Sequence, residues 1–396
     1  MTEAYKNLKL ELHKELLNIL QYWETHTIDE EHGGFVGKID FFNNHVPKAS
    51  KGIILNTRIL WAFSASANHL NTEKYRTLCD QSFAYIQTYF KDTYHKGVFW
   101  EVDFTGKPIN KRKQIYAQVF TIYALSEYYI TTKNESAKSW AIDLFNTIEK
   151  YAKDTLHGGY FEAFHEDWSP IKDMRLSKKD LNASKTMNTH LHILEAYTSL
   201  LKIHDSIEVK KALRSLIHLL FDKFLNVDYN FELFFDDQWK LLSHSISYGH
   251  DIEAAWLIIE AAKAVDDSNL IKKANSIAIQ IADNFLATAL HKNGAVLNEK
   301  NRKTNEIDTD LHWWPQVEAM IGLDYAYQLT QHQKYIEASL KIWSYTKKHI
   351  IDHTHGEWYF RVDENNNPYT IEDKVSMWKA PYHNARACIV LNTQTS

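Results

Sequence analysis

Apolar residues recur at helical spacing through most of the chain. At intervals this pattern gives way to short alternating strings, in which a glycine or turn residue precedes aromatic and acidic residues. The strings are GGFVGKID from Gly33, GVFWEVD from Gly97, GGYFEAF from Gly158, ELFFDD from Glu232, NGAVLNE from Asn293 and GEWYFRVD from Gly356. Glycine supplies a turn and aromatics suit a half-buried strand, so each string reads as a short β-hairpin arm. Successive strings start 61 to 74 residues apart. The stretches of roughly fifty residues between them hold two helices of ordinary length with their connections. The first residues, MTEAYKNLKLELHKELLNIL, mix charged and apolar positions at helical spacing and predict an opening amphipathic helix.

Six helix pairs, none able to bury its apolar faces alone, can do so by closing into a ring of inner and outer helices. The predicted fold is all-α: a single (α/α)6 barrel over residues 1–396, with short β-hairpin loops at one mouth. An open solenoid is the alternative, and it would keep a stricter repeat consensus than these units show.

Within one helix of each unit a small residue interrupts the apolar run, at Ala62, Ala124, Ala196, Ala254, Gly322 and Ala387. One helical turn earlier stand Arg58, Phe120, His192, His250, Glu318 and His383. If the units are equivalent in space, these groups form one ring near a mouth, where a pocket belongs. The register has freedom: Ala255 can replace Ala254, and matching the Asn-Thr pair favours His190 over His192. Two residues apart on a helix, those histidines do not share a face, and the small-residue register selects His192. Helix starts are expected just before these groups, near Asn56, Asn188, Gly249 and Pro381.

Composition narrows the function. No Pro/Gly/Ser-rich linker divides the chain, and 12 Trp, 22 Tyr and 19 Phe supply more aromatic surface than a core needs, so some rings are expected to face a ligand. The net charge is -5 with no basic stripe, which argues against nucleic acid. No apolar run suits a membrane span or a signal peptide, and Cys79 and Cys388 are too few for a disulfide framework, so a cytoplasmic location is expected. No nucleotide-binding motif is present, so no cofactor is expected.

Proton transfer near neutral pH calls for imidazoles, and His250 carries Glu253 three residues on, where a carboxylate can fix its tautomer. Arg58 interrupts an apolar helix with a planar fork of donors suited to sugar oxygens or an enediolate. Trp313, Trp314 and Trp378 offer faces for stacking on sugar rings. A zinc site from His190, His192 and His250 has poor spacing, and no metal is expected.

The strings LNTRILWAFS, NTHLHILEAYT, SYGHDIEAAWL and PYHNARAC resemble the cellobiose 2-epimerases of the N-acylglucosamine 2-epimerase family, and the likeness runs nearly end to end. The resemblance implies an (α/α)6 barrel. It also implies reversible inversion at carbon 2 of the reducing-end glucose or mannose in a β-1,4-linked disaccharide such as cellobiose, lactose or mannobiose, without metal or nucleotide. By that likeness His250 and His383 are acid and base, Glu253 supports His250, and Arg58 holds the enediolate oxygens. His192, Asn188 and Tyr116 contact the opened sugar, Trp314 and Trp378 stack on the two rings, and Glu318 and Trp256 shape the site. Ala385, often Gly in the family, and Pro315, often absent, depart from the pattern, and Pro315 could shift the start of the Trp314 helix. The disaccharide is the expected partner, on a monomer or weak homodimer. Other readings are an N-acylglucosamine 2-epimerase or mannose-type aldose-ketose isomerase, a glycoside hydrolase using two of Asp251, Glu253 and Glu318, and a non-catalytic sugar-binding protein.

Overall fold

The computed structural model describes residues 3–393. Its helices alternate between two layers. The inner ring is α2 (Ile53–Leu70), α4 (Ile115–Thr132), α6 (Met187–Leu201), α8 (Tyr248–Ala264), α10 (Trp313–Thr330) and α12 (His383–Thr393), each packed on the next and α12 packed back on α2. The outer layer is α3 (Arg76–Tyr89), α5 (Glu135–Tyr151), α7 (Ile207–Leu219), α9 (Ser268–Thr288) and α11 (Gln333–His349). The sixth outer place is taken by α1 (Glu3–His26), which packs on α12 and α11. The predicted (α/α)6 barrel is therefore present, closed by its first helix against its last.

The sequence distinguishes the two layers. On α7 the buried residues are Val209, Ala212, Leu213, Leu216 and Ile217, the single stripe of a surface helix. The inner α2 is instead buried on every side from Ile53 to Ala67. Each inner helix turns into its outer partner through local capping. Asn71, Lys133 and Gln331 take left-handed conformations after α2, α4 and α10, and the side chains of Asn134, Ser206 and Asp267 accept backbone N–H bonds at the starts of α5, α7 and α9.

The arms fall where the strings predict. Six equivalent bridges, Ile28↔Phe35, Lys91↔Val98, Lys153↔Tyr160, Leu225↔Phe231, Leu290↔Val296 and Ile351↔Trp358, open the arm after each outer helix. Every arm then pairs antiparallel with the strand leading into the preceding inner helix. The pairs are β1 (Lys51–Gly52) with β2 (Glu101–Val102), which also pairs with β3 (Pro108–Asn110), β4 (Lys113–Gln114) with β5 (Ala163–Phe164), β6 (Lys185–Thr186) with β7 (Phe234–Phe235), β8 (Ser245–Ser247) with β9 (Glu299–Asn301), and β10 (Leu311–His312) with β11 (Arg361–Val362). The bridge Ile39↔Val375 completes the circle between the first arm and the approach to α12. All arms thus crown the mouth at which the inner helices begin.

Two devices fix the arms. The fourth residue of an inner helix reaches back to the arm backbone: Gln118 accepts from Val98 N–H at 2.8 Å, Asp251 from Phe231 N–H at 2.7 Å, and Gln316 from Val296 N–H at 2.8 Å. In addition, buried lysines meet the turn aspartates, Lys51 with Asp29 (2.6 Å), Lys113 with Asp92 (2.5 Å), Lys185 with Asp154 (2.6 Å), and Lys374 with Asp352. Those aspartates also cap the turn, accepting the backbone N–H of His32, His95, His157 and His355. The fourth and fifth arms have Asn226 and His291 opening the turn instead. No helix among the described residues is long and apolar enough to cross a membrane. Cys79 and Cys388 are free and buried, and burial pushes both thiols up.

Candidate active site

The N-terminal turns of the inner helices surround the bore beneath the arms, so their positive ends converge where an anion would sit. Above them lies a cleft of about 800 Å³ lined by Asn188, Ser247 and His250, with Leu233, Phe234, Asn298 and Asp308 from the fourth and fifth arms. That volume suits a small carbohydrate.

Three of the candidate imidazoles share one arrangement. His383 Nδ1 bonds Glu318 Oε1 at 2.8 Å, His192 Nδ1 bonds Glu195 Oε2 at 2.8 Å, and His250 Nδ1 bonds Ser247 Oγ at 2.8 Å. Among the described residues none of the three Nε2 atoms has a hydrogen-bond partner. Trp314 lies between two of them, with ring centroids 4.7 Å from His250 and 5.5 Å from His383. Desolvation pushes His250 down to about 3. His383 is pushed well below the usual histidine value by burial and by the cations Arg58 and Arg386.

Arg58 stretches across the bore, donating to the Trp378 carbonyl at 3.1 Å and to the Tyr116 hydroxyl at 2.9 Å, with its plane against Phe120 and Tyr382. Tyr116 meets the His192 ring edge-on at 5.0 Å, and Trp378 packs beside Tyr116 and Trp100. Trp256 Nε1 donates to Glu318 Oε2 at 3.3 Å. Asn188 keeps its Oδ1 without a partner at the edge of the cleft. Asn188, His250, Trp314 and Trp378 are half-buried, whereas Arg58, Tyr116, His192, Glu253, Trp256, Glu318 and His383 are buried. Of the first four, Asn188 and His250 line the cleft.

Several expectations need correction. Glu253 does not hold His250. Its Oε1 accepts from Arg386 Nη2 at 2.5 Å, and Ser247 at the end of β8 takes the His250 nitrogen instead. The small-residue register also slips in two units. Arg58, Phe120, His192 and Glu318 are the sixth residues of their helices, but in α8 the sixth is Glu253, which leaves His250 one turn nearer the mouth. In α12 the residue that joins this deeper level is Arg386, bonded to Glu253 and to Glu318 at 2.7 Å. The helix starts expected at Asn56 and Pro381 fall instead at Ile53 and His383. His190 points away from the bore and pins the third arm, accepting Tyr160 N–H at 2.9 Å, so a zinc set with His192 and His250 does not form. Trp313 packs behind the wall on Phe360 and Lys379. Pro315 falls in the first turn of α10, where its missing N–H costs nothing, and Trp314 keeps its place.

Glu253, Glu318 and His383 offer ligand atoms within 4.8 Å of one another, and the Arg386 guanidinium already supplies positive charge to both carboxylates. Reasoning from the sequence missed Arg386, Glu195 and Tyr382. The arginine in PYHNARAC was the available signal, a cation inside an otherwise small and apolar helix.

The sequence profile of the N-acylglucosamine 2-epimerase (GlcNAc 2-epimerase) family matches residues 33–387. The cellobiose 2-epimerase of Bacteroides fragilis is 40% identical over 386 residues, covering 97% of this chain and 98% of that one. The cellobiose 2-epimerase of Dictyoglomus turgidum is 38% identical, with the same coverage of each. Among solved structures, the cellobiose 2-epimerase of Bacillus thermoamylovorans superposes with a TM-score of 0.94 at 35% identity, covering 98% of this chain and 100% of that one. The chain belongs to the N-acylglucosamine 2-epimerase family of carbohydrate epimerases.

Proposed function

We propose that the protein inverts carbon 2 of the reducing-end glucose or mannose of a β-1,4-linked disaccharide, with His250 and His383 as the two proton-transfer groups. One observation carries this reading: two imidazoles flank Trp314, each tied at Nδ1, and each keeps Nε2 free of protein partners. A ring held in this way leaves one nitrogen available for general acid–base catalysis at carbon, and at His383 the Glu318 carboxylate also selects the tautomer with the proton on Nδ1. Once the sugar ring has opened to the aldehyde, one imidazole removes the carbon-2 proton, and the other, which takes a proton from solvent as the negative enediolate forms, returns it to the opposite face. The reverse reaction exchanges the roles. The enediolate between these steps brings a negative charge that favours imidazolium over the neutral ring. Arg58, with free donor capacity at Nε, and the helix N-termini stabilise the same charge. In this reading Trp314 and Trp378 stack on the sugar rings, and Asn188, Tyr116 and His192 bond hydroxyls. Protonation at carbon 1 in place of carbon 2 makes a ketose, a minor product of the same site.

The hydrolase reading loses its carboxylates. Glu253 and Glu318 are both bound by Arg386, and Asp251 is committed to Phe231 N–H and Asn230, so these three do not supply the two independent carboxyl groups a hydrolase needs.

The test is incubation with cellobiose in deuterated water, followed by NMR. Glucosyl-mannose carrying deuterium at carbon 2 is the expected product. Turnover of N-acylglucosamine or mannose with cellobiose untouched would move the protein to another branch of the family, and free glucose would overturn the reading. His250→Asn and His383→Asn should each lower kcat by about 100-fold or more with helical content unchanged.

A further inference from the structure

One turn below the paired imidazoles, three carboxylates from three helices meet one guanidinium. Arg386 Nη1 donates to Glu195 Oε1 of α6, and Nη2 donates to Glu253 Oε1 of α8 at 2.5 Å and to Glu318 Oε1 of α10 at 2.7 Å. The Tyr382 hydroxyl adds a second donor to Glu195 at 2.6 Å. Arg386 and all three carboxylates are buried. Two of the carboxylates continue upward, Glu195 to His192 Nδ1 and Glu318 to His383 Nδ1, both at 2.8 Å.

Three carboxylates enclosed together repel, and without a shared cation they take up protons. A planar fork can bond all three along separate directions, whereas an ammonium is a single point of charge. A protonated Glu195 or Glu318 is a poor acceptor for an imidazole N–H, which frees the ring to turn or change tautomer.

We infer that Arg386 is a positioning residue for the proposed epimerisation, holding Glu195 and Glu318 ionised and in place so that His192 and His383 present Nε2 to the sugar. The inference rests on the proposed activity for its kinetic consequence, but its structural content stands separately. Burial works to raise Glu195, yet the Arg386 charge and the His192 contact win and hold it at about 2. Glu253, the member with no imidazole, behaves otherwise: its Oε2 has no partner, and burial with the neighbouring Glu318 charge pushes it up to about 7. Burial pushes Glu318 up as well, and the Arg386 charge and hydrogen bond oppose that rise, so the guanidinium works against proton uptake at both carboxylates that hold imidazoles.

The experiment compares Arg386→Lys, Arg386→Gln and Tyr382→Phe with the unaltered protein. The first readout is the imidazole nitrogen titrations of histidine-labelled, sugar-free protein. The ionisable groups around His383 are Arg58 of α2, His192 and Glu195 of α6, His250 and Glu253 of α8, Glu318 of α10, and Arg386 and Tyr382 beside it. Arg386→Gln should shift the His192 and His383 nitrogen resonances and raise the His383 titration, while His250, held by Ser247, keeps its tautomer. The second readout is kinetic. Arg386→Lys should lower kcat about 10- to 100-fold, leave KM within about threefold, and move the acid limb of the kcat profile to higher pH. If Arg386→Gln does not fold, Tyr382→Phe keeps every charge and should still shift His192 without moving His250. A kcat for Arg386→Lys within about twofold of the unaltered value, or His192 and His383 resonances unmoved in the variants, would overturn the inference. A shift of His250 equal to theirs would do the same, since it marks general disruption. Absence of carbon-2 exchange in the unaltered enzyme would sink the functional reading alone, because the sugar-free titrations would still report on Arg386.

Discussion

In the third unit the backbone N–H of Tyr160 is accepted by an imidazole, where the second and fifth units use the amides of Gln118 and Gln316. The match extends further: His190 Nδ1 lies 2.7 Å from the Thr186 carbonyl, as Gln118 Nε2 lies 3.3 Å from that of Gln114 and Gln316 Nε2 lies 3.0 Å from that of His312. The imidazole must stay neutral to accept at Nε2, and burial holds it at about 3. Its folded value is below the unfolded value of about 6.5. The stability it contributes is therefore complete above that pH and is lost as pH falls from about 6.5 toward 3. His190→Gln should keep the arm pinned and flatten this acid slope, by an amount on the order of a few kcal/mol at pH 4, measured as urea midpoints across the range. Gly249 makes a second prediction. A Cβ there would lie 2.5 Å from the Trp314 ring, so Gly249→Ala should push the indole away from His250 and lower kcat/KM at least about tenfold. Full activity would mean the ring has room to yield. Residue identity was legible where chemistry is sparse, as with Arg58 in an apolar helix. The small-residue register set His190 aside in favour of His192, but the role of His190 itself was not legible, because it depends on a bond to an arm thirty residues upstream in the chain.

The arms divide into two kinds. Four are locked by a buried lysine on an aspartate, and in each of these the turn reads Asp, two residues, then His. At the equivalent strand positions β8 and β10 carry Ile246 and Leu311, so the fourth and fifth arms lack the buried lysine lock and are held by backbone pairing, side-chain pegs and the part-buried Arg302–Glu232 ion pair that joins them. These arms also wall the cleft beside His250. Amides of residues 225–241 and 290–307 should therefore exchange with solvent faster than those of the other arms, as read by hydrogen exchange. Equal protection would show that the locks do not govern arm stability. Asp154→Asn should destabilise the protein by about 3 to 5 kcal/mol, because it leaves the Lys185 ammonium buried and poorly compensated, as measured by denaturant unfolding. The arms were legible from glycine and aromatic spacing. The helix register was not legible in α8 and α12, because four residues after Glu253 and Arg386 stand Leu257 and Val390, not a small residue. Only the fork of Arg386 on Glu253 and Glu318 identifies the shared level.

The ring is closed by contacts that join its two ends. Trp358 Nε1 in the sixth arm donates to Glu15 of α1 at 2.6 Å, and Trp23 Nε1 of α1 donates to Glu357 at 2.9 Å. Glu357 also receives Lys379 Nζ at 2.5 Å and Asn384 of α12 at 3.1 Å. The sixfold plan was legible in the spacing of the arms, but the pairing of α1 with α12 was not, since it is a contact between the most distant segments of the sequence. A chain ending at Ala380 would lose the wall that carries His383 and Arg386 and leave the apolar face of α1 uncovered. It should bind a hydrophobic dye and melt without a single sharp transition. Because α1 precedes its partner by more than 350 residues, a ribosome making this protein must carry an open crescent of helices until α12 has been made. The emergence of α12 then completes the enclosure and brings His383 and Arg386 to the bore together, so a product stalled before that point should be open to proteolysis.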